Sequence, residues 1–327
     1  MKNKKSIMTF AGIQILLFHL WVNVGTSNTF EMFLRQTAYI GVDLFFFVSG
    51  FSLGEKREKF KDFPGDYGRF LGSRFGTVYL KFMIFTILAA WVSSWSFTKF
   101  VQTLSGAALW LKGGGSFLWF LPAIMWVYIF APVIQQGILK GRERWKIVPV
   151  IADVIILVLW FAVGVAVTYF TSYKSMFIFW NRIPVLWLGF ILAKSGWFRD
   201  RIHNTWKSIL WGLVFLIIGT VLLYFFGFRE RLQVPIYDMF YVMGIPATLG
   251  LVFLFSQIPS VKIISKIGSS TLEMYGLQMV FGYSYANWVY KNTKSPWITN
   301  LSSLIVITLA AVLCSEGYRF VHKKIVK

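Results

Sequence analysis

The sequence has few charged residues and very few of the residues that build disulfides or metal sites. Only 14% of its 327 residues are charged, whereas 57% are hydrophobic and 19% are aromatic. A soluble domain usually has about 25% charged residues, so this composition excludes a soluble globule and indicates a polytopic membrane protein. The single cysteine, Cys314, excludes an intramolecular disulfide and a cysteine-based metal site. Two of the three histidines, His203 and His322, stand in basic loops, so no metal is expected.

Acidic residues are also scarce, with 13 Asp and Glu against 33 Lys and Arg. Such a basic chain could bind nucleic acid, but the basic residues stand in short loops between apolar runs, so no nucleic-acid partner is expected. The chain has no P-loop, GxGxxG, HExxH or GxSxG motif. The excess positive charge is expected to set the membrane topology and to contact anionic lipids.

Hydropathy predicts ten apolar segments, each long enough to cross about 30 Å of hydrocarbon. The start of the chain resembles a signal peptide but has no small-x-small cleavage site, so we expect an uncleaved first helix. The stretch 96–111 is shorter and rich in serine, ends at the glycines 113–115, and is predicted to be a re-entrant or interfacial helix. Residues 1–327 are therefore predicted to form one all-α membrane domain without a soluble domain. The ten segments are residues 7–25, 36–54, 75–95, 116–137, 147–171, 176–194, 207–227, 234–256, 267–290 and 298–320.

Loop charges predict the orientation. The N-terminus, every second loop and the C-terminus together carry 23 Lys and Arg, whereas the alternate loops carry eight. By the positive-inside rule, both termini are predicted to be cytoplasmic. We therefore expect a multi-pass membrane protein.

Four polar residues fall within the predicted spans or at their edge. His19 lies fourteen residues after Lys5, about 21 Å along a helix, which places it in the outer half of the membrane. Asp43, Arg182 and Asp238 lie at a similar predicted depth in three other spans. Ionisable groups at this depth are costly and usually face a cavity or a partner, so these residues are the first candidates for a functional site.

His19 is predicted to be a general base. Its ordinary pKa of about 6.5 allows a neutral imidazole to take a proton from a hydroxyl at neutral pH. A nearby carboxylate such as Asp43 would orient the ring, and Arg182 would stabilise a developing oxyanion or bind an anionic group. The alternatives are an interfacial histidine beside Trp21 and a helix-packing ion pair between Asp43 and Arg182.

Other residues have weaker signals. Trp119 fits a belt or packing aromatic better than a substrate contact. The basic loop from Arg69 to Arg74 is typical of topology signals and lipid contacts, and its functional alternative is a landing site for a phosphorylated donor. Glu316 and Arg319 are spaced to pair at i,i+3.

Five motifs resemble the membrane acyltransferase-3 family of integral bacterial O-acyltransferases, in that family's order and over nearly the whole chain. The most specific is Gly41 to Phe51, which is similar to the family's Gly-Val-x-Leu-Phe-Phe-x-x-Ser-Gly-Phe run. The others are the first helix from Ala11 to His19, the run Leu118 to Pro122 with Tyr128 and Pro132, Arg182-Ile183-Pro184 with Gly189, and Ile267 to Tyr275.

Three positions depart from the family pattern. Met8 stands where the family usually has an Arg, and Lys4 or Lys5 would replace it only with a different geometry. The stretch after Arg74 lacks the usual proline, and Gln278 stands where a His often follows. These departures concern the donor site more than His19.

The resemblance implies an acyltransferase that uses cytoplasmic acetyl-CoA to modify a cell-surface glycan, either an exported polysaccharide or a lipid-linked precursor. It also implies a location in a bacterial cytoplasmic membrane, and no metal. The residues that would serve it are His19 and Asp43 for catalysis, Arg69 and Arg74 for the donor, and, for the substrate or oxyanion, Arg182, Trp119, Asn181, Gln278 and Ser49.

Two other functions remain open at this stage. A transporter or flippase would move a polar envelope substrate through the same cavity, although the chain shows no repeat symmetry. A non-catalytic partner in envelope assembly would explain the replacements at Met8 and Gln278. The acceptor sugar, the length of the acyl chain and the oligomeric state do not follow from the sequence.

Overall fold

A computed structural model describes residues 1–24, 31, 34, 37–55, 63–112, 115–145, 149–170, 177–227 and 239–325. These residues form helices and no strand. In chain order the α-helices are α1 Lys4–Val24, α2 Ile40–Glu55, α3 Phe63–Arg74, α4 Leu80–Val92, α5 Phe97–Leu104, α6 Ala107–Lys112, α7 Phe120–Trp145, α8 Pro149–Phe170, α9 Phe177–Trp180, α10 Ile183–Leu192, α11 Gly196–His203, α12 Thr205–Gly227, α13 Met239–Phe255, α14 Lys262–Ser269, α15 Thr271–Leu277, α16 Tyr283–Thr293 and α17 Pro296–Ile325. Two π-helical turns interrupt them: π1, Phe75–Tyr79, and π2, Gln278–Gly282.

The described helices confirm an all-α membrane protein. Three are long and apolar enough to cross a membrane: Gly65–Val92, Thr205–Leu222 and Pro296–Phe320. Shorter apolar helices cover Phe120–Ile134, Ile151–Trp160, Ile178–Leu192 and Gly244–Phe255. The count of ten spans and the side of the membrane on which each terminus lies stay predictions. Asp238, one of the polar candidates, lies outside the described residues.

The stretch 96–111 differs from the expected single helix. It forms two short helices, α5 and α6, which meet at Gly106. The φ angle of Gly106 is +76°, a left-handed conformation that glycine adopts without steric cost. Ser96 caps the start of α5 by accepting a hydrogen bond from the backbone N–H of Lys99.

Helix α2 packs closely against α10 because glycines line the crossing. A Cβ at Gly50 would overlap the carbonyl oxygen of Leu186, and one at Gly189 would overlap that of Phe47. Gly50 and Gly54 form a small-xxx-small pattern, which lets membrane helices approach backbone to backbone. This contact fixes the position of α2, which carries Asp43, relative to α10, which begins next to Arg182.

Helix α1 is central, because it packs against α2, α13, α14, α15, α16 and α17. Helices α1 and α17 approach each other at one end of the bundle. The N-terminal amine lies 2.8 Å from Glu55, and Lys5 lies close enough to Arg319 in α17 for the two charges to repel each other. We call this the basic end, defined by Lys4, Lys5, Arg74, Lys81 and Arg319.

Candidate active site

His19 lies two-thirds of the way along α1 and contacts two tyrosines of the penultimate helical segment. Its Nδ1 is 3.2 Å from the hydroxyl oxygen of Tyr283, the first residue of α16. The ring of Tyr275, in α15, lies 5.7 Å from the imidazole between centroids. The Nε2 atom makes no hydrogen bond with any residue that the structure describes. One ring nitrogen is thus held by the protein, and the other is left for a further partner.

Asp43 and Arg182 form a buried ion pair. Arg182 Nε lies 3.3 Å from Asp43 Oδ1, and both side chains are 1% exposed. The guanidinium also donates a hydrogen bond of 2.7 Å to the carbonyl of Ile178, and it lies over the ring of Trp119 at 5.5 Å. Asn181, which precedes Arg182 in the turn between α9 and α10, is buried as well. The structure therefore brings together four of the predicted site residues.

This ion pair stands apart from the imidazole. The described contacts of Asp43 lead to Arg182 and those of His19 lead to the two tyrosines, so Asp43 does not orient the His19 ring as the sequence suggested. The arrangement matches the alternative of a helix-packing ion pair, which joins α2 to the start of α10. A catalytic part for Asp43 or Arg182 stays a prediction.

Two neighbouring cavities lie between the basic end and Tyr275, whose ring contacts His19. The first, which we call the vestibule, has a volume of about 200 Å³ and is lined by Lys4, Lys5, Ser52 and Arg74 among others. The second, which we call the chamber, has a volume of about 130 Å³. The two share Met8, Ser49 and Tyr128 as lining residues. The remaining lining residues of the chamber are apolar apart from Thr271 and Tyr275, and include Ile15, Phe45, Val78, Phe120, Leu121, Ile124 and Leu272.

Cations line the vestibule in a way that suits an anionic ligand. Arg74 lies over the rings of Phe70 at 5.2 Å and Tyr128 at 5.0 Å, and its buried Nε has no hydrogen-bond partner among the described residues. Lys4 Nζ donates to the hydroxyl of Ser52 at 2.5 Å. Lys4 and Lys5 share this cavity with Met8, so both stand close to the position where the family usually has an arginine.

The other candidates occupy distinct places. Ser49 lines both cavities and lies 3.3 Å from the hydroxyl of Tyr128. Arg69 lies outside the vestibule lining, with a side chain that is 78% exposed and pairs with Asp66 at 2.6 Å. Gln278 begins π2, is fully buried, and neither polar atom of its amide has a hydrogen-bond partner among the described residues.

A larger apolar groove lies elsewhere, between α7, α8 and α10. It has a volume of about 300 Å³ and contains no charged residue in its lining, which includes Trp110, Trp126, Trp160, Trp180 and Trp187. A cavity without charge is a poor match for a phosphorylated donor. The vestibule and chamber are therefore the better candidate for the reaction site, although they are smaller.

Sequence reasoning missed the contact of Tyr283 with His19 and the partner of Glu273, and it predicted one ion pair correctly. Glu316 accepts a hydrogen bond from Arg319 at 3.3 Å, which confirms the i,i+3 prediction. Glu273 lies buried, 2.5 Å from Lys81 of α4, an ion pair that no sequence spacing indicated. Tyr283 follows Tyr275 by eight residues, and the π turn Gln278–Gly282 lies between them and brings the two tyrosines closer in direction.

The comparisons with known proteins identify the family. The family model described as an acyltransferase domain, acyltransferase 3, matches residues 9–316. The chain belongs to this family. A search of curated proteins and a search of solved structures found no match. Family membership makes the chain a membrane acyltransferase in general terms, and it confirms the resemblance that the motifs around His19, Asp43 and Arg182 indicated.

Proposed function

We propose that this acyltransferase moves an acetyl group from acetyl-CoA to a hydroxyl of an exported or lipid-linked cell-surface glycan. The observation that carries the proposal is that two neighbouring cavities share part of their walls. The cationic vestibule and the apolar chamber have Met8, Ser49 and Tyr128 in common, and the chamber wall includes Tyr275, whose ring contacts His19.

The vestibule has the chemistry that a coenzyme A donor requires. Arginine and lysine are the residues that bind phosphate in proteins, arginine through paired N–H groups and lysine as a point charge. Lys4, Lys5 and Arg74 come from two different helices and line one cavity. Because the buried Nε of Arg74 has no described partner, it is available to a phosphate oxygen.

The size of the chamber supports a short acyl group. An apolar cavity of about 150 Å³ holds a ligand the size of benzene. The chamber has a volume of about 130 Å³, so it has room for an acetyl group and little room for a long chain. Its walls of Ile15, Phe45 and Leu272 exclude water from the thioester, which limits hydrolysis of the donor.

The chemistry needs one base near the chamber. His19 Nε2 takes the proton of the acceptor hydroxyl while the hydroxyl oxygen bonds to the thioester carbonyl carbon. The carbon–sulfur bond then breaks, the sulfur leaves as the thiol of coenzyme A after it accepts a proton from the imidazolium, and an ester remains on the glycan. Asp43 and Arg182 hold α2 and α10 together in this scheme and take no proton.

Binding of acetyl-CoA to purified protein in detergent tests the donor. We expect binding to wild type, and a Kd raised about tenfold or more in Arg74→Gln, because a hydrogen bond to a charged group contributes about 1.5–3 kcal/mol. The matched control is Lys207→Gln, which removes an exposed charge that pairs with Asp200 at 2.9 Å.

Two results would contradict the proposal. One is a wild-type protein that does not bind acetyl-CoA, which a transporter of polar envelope substrates predicts. The other is an equal change in Kd for Arg74→Gln and Lys207→Gln, which would mean that the vestibule is not the donor site.

A further inference from the structure

The contacts of Tyr283 define the hydrogen-bonding state of His19. The hydroxyl of Tyr283 lies 3.2 Å from His19 Nδ1 and 3.7 Å from the sulfur of Met279. A thioether sulfur has no hydrogen to donate, so the hydroxyl proton must point to Met279 if that contact is a hydrogen bond. The hydroxyl oxygen then faces Nδ1 with a lone pair, and Nδ1 must carry the proton.

Only one arrangement of protons satisfies both contacts. If Tyr283 donated to Nδ1 instead, the neutral imidazole would carry its proton on Nε2, and the sulfur of Met279 would lose its donor. An imidazole with Nε2–H cannot accept a proton at Nε2. A base that faces its substrate through Nε2 requires the other tautomer, in which Nδ1 is held by an acceptor.

We propose that Tyr283 is a positioning residue that accepts a hydrogen bond from His19 Nδ1–H and so leaves the Nε2 lone pair of His19 free for the acceptor hydroxyl. Its catalytic meaning rests on the proposed function, whereas the tautomer itself can be measured without a substrate. Tyr283 here fills the role that a carboxylate often fills beside a catalytic histidine.

The π turn explains how Tyr283 reaches His19. In an α-helix, residues eight apart differ by about 80° around the axis, so Tyr275 and Tyr283 would lie toward opposite edges of one helix face. A π turn inserts about one extra residue, which lowers the difference to about 20° and aligns the two tyrosines more closely. Gly282 accommodates the turn, since a Cβ there would lie 2.5 Å from the amide oxygen of Gln278.

The burial of the three residues fits this role. His19, Met279 and Tyr283 are each partly buried, so their polar atoms are largely shielded from bulk water. A hydrogen bond in such surroundings holds its geometry better than one exposed to competing water. Tyr283 and Met279 therefore act together on the Nδ1 atom of His19.

Nitrogen-15 NMR of histidine-labelled protein in detergent tests the proposal. The chain has three histidines, so a variant with both His203→Gln and His322→Gln gives signals from His19 only. We expect a protonated Nδ1 and an unprotonated Nε2 in this background. Adding Tyr283→Phe removes the acceptor, and the population with Nε2–H should rise. Tyr285→Phe is the control, because the described contact of Tyr285 is with Trp288 and not with His19.

The proposal is overturned if His19 carries its proton on Nε2 before Tyr283 is changed, or if Tyr283→Phe and Tyr285→Phe give the same spectrum. Met279→Leu is the second variant: it removes only the sulfur acceptor, and it should shift the tautomer in the same direction as Tyr283→Phe. An unshifted tautomer in Met279→Leu would contradict the relay through sulfur.

Acetyl transfer provides a separate readout. We expect Tyr283→Phe to lower kcat about tenfold or more, with little change in the KM for acetyl-CoA, because the donor site is untouched. A protein with the expected tautomer but no transfer activity would contradict the proposed function and leave the positioning by Tyr283 intact. A protein that transfers acetyl with Nε2 protonated would contradict the positioning by Tyr283 and leave the proposed function intact.

Discussion

The ion pair between Asp43 and Arg182 gives the sharpest prediction of stability. Asp43→Asn replaces the carboxylate with an amide of nearly the same shape and removes a buried negative charge 3.3 Å from the Arg182 cation. Both side chains are 1% exposed, so water cannot replace the lost partner. We expect this variant to lose stability through charge alone, since it creates no cavity.

The magnitude follows from the geometry. Two unit charges 3.3 Å apart attract by about 5 kcal/mol at an effective dielectric constant of about 20. Removal of one partner from a buried pair typically costs about 3–5 kcal/mol, because the other charge stays behind. An Asp–Arg pair at the surface contributes about 0–1 kcal/mol. The pair of Asp66 and Arg69 is more exposed than the buried pair, with side chains that are 22% and 78% exposed, and its distance of 2.6 Å is shorter.

The two pairs make a matched experiment in one protein. Thermal unfolding in detergent, followed by fluorescence-detected size exclusion, gives the Tm of wild type, Asp43→Asn and Asp66→Asn. We expect a large decrease in Tm for Asp43→Asn and almost none for Asp66→Asn. Distance alone predicts the opposite order, so the comparison isolates the effect of burial.

A double variant completes the test. Asp43→Asn with Arg182→Gln removes both charges, and we expect it to be more stable than Asp43→Asn alone. Equal Tm values for Asp43→Asn and Asp66→Asn would refute the reasoning. A double variant less stable than both single variants would show that the pair contributes through packing and not through charge.

Three further predictions concern the donor. Leu272→Ala enlarges the chamber and should raise kcat/KM for butyryl-CoA relative to acetyl-CoA. Arg74→Ala should raise the KM for acetyl-CoA more than it lowers kcat, whereas Arg69→Ala, outside the vestibule, should change neither. Burial, together with the nearby charge of Arg319, lowers the pKa of Lys5 from its ordinary value of 10.5. Lys5 thus loses its proton at a lower pH than a free lysine, and the affinity for acetyl-CoA should fall as the pH rises through that range.

Each of these has an outcome that counts against it. An unchanged ratio of the two acyl donors in Leu272→Ala would separate the chamber from the acyl group. An equal KM in Arg74→Ala and Arg69→Ala would indicate that the whole basic loop serves membrane topology and not donor binding. Donor affinity that is equally pH-dependent in wild type and Lys5→Gln would exclude Lys5 as the group that titrates.

The sequence predicted the class of the protein and the residues of the ion pair, for physical reasons. A low charge content can only suit a chain that is mostly buried in hydrocarbon or protein, and the described helices agree. Charged residues inside apolar segments are costly enough to require partners, which singled out Asp43 and Arg182. Depth along each helix was enough to place them at one level, and the structure shows them in contact.

The neighbours of His19 were beyond the reach of the sequence. The predicted depth of a residue in the membrane does not tell how its helix is rotated about the axis. Asp43 was therefore expected beside the imidazole, where the structure has Tyr283. The π turn at Gln278 shifts the phase of everything that follows it, and no residue pattern marked it. The same limit applied to the stretch 96–111, where Gly106 divides the expected helix in two.

The vestibule could be predicted in part. The basic loop pointed to Arg69 and Arg74 as donor candidates, but only Arg74 lines the cavity. The two residues are five apart, half a turn out of phase on α3, so they face opposite directions. Lys4 and Lys5 were candidates to replace the arginine missing at Met8, and the structure adds that both line the same cavity as Arg74.

The acetyl content of the surface polysaccharide tests the central claim most directly. Proton NMR would compare cells that express wild-type protein, cells that express His19→Ala, and cells without the protein, with equal expression of the two forms verified. Acetyl signal with wild type alone is the predicted result, and it would make His19 part of an acyl transfer. The same acetyl signal in all three samples would contradict the account.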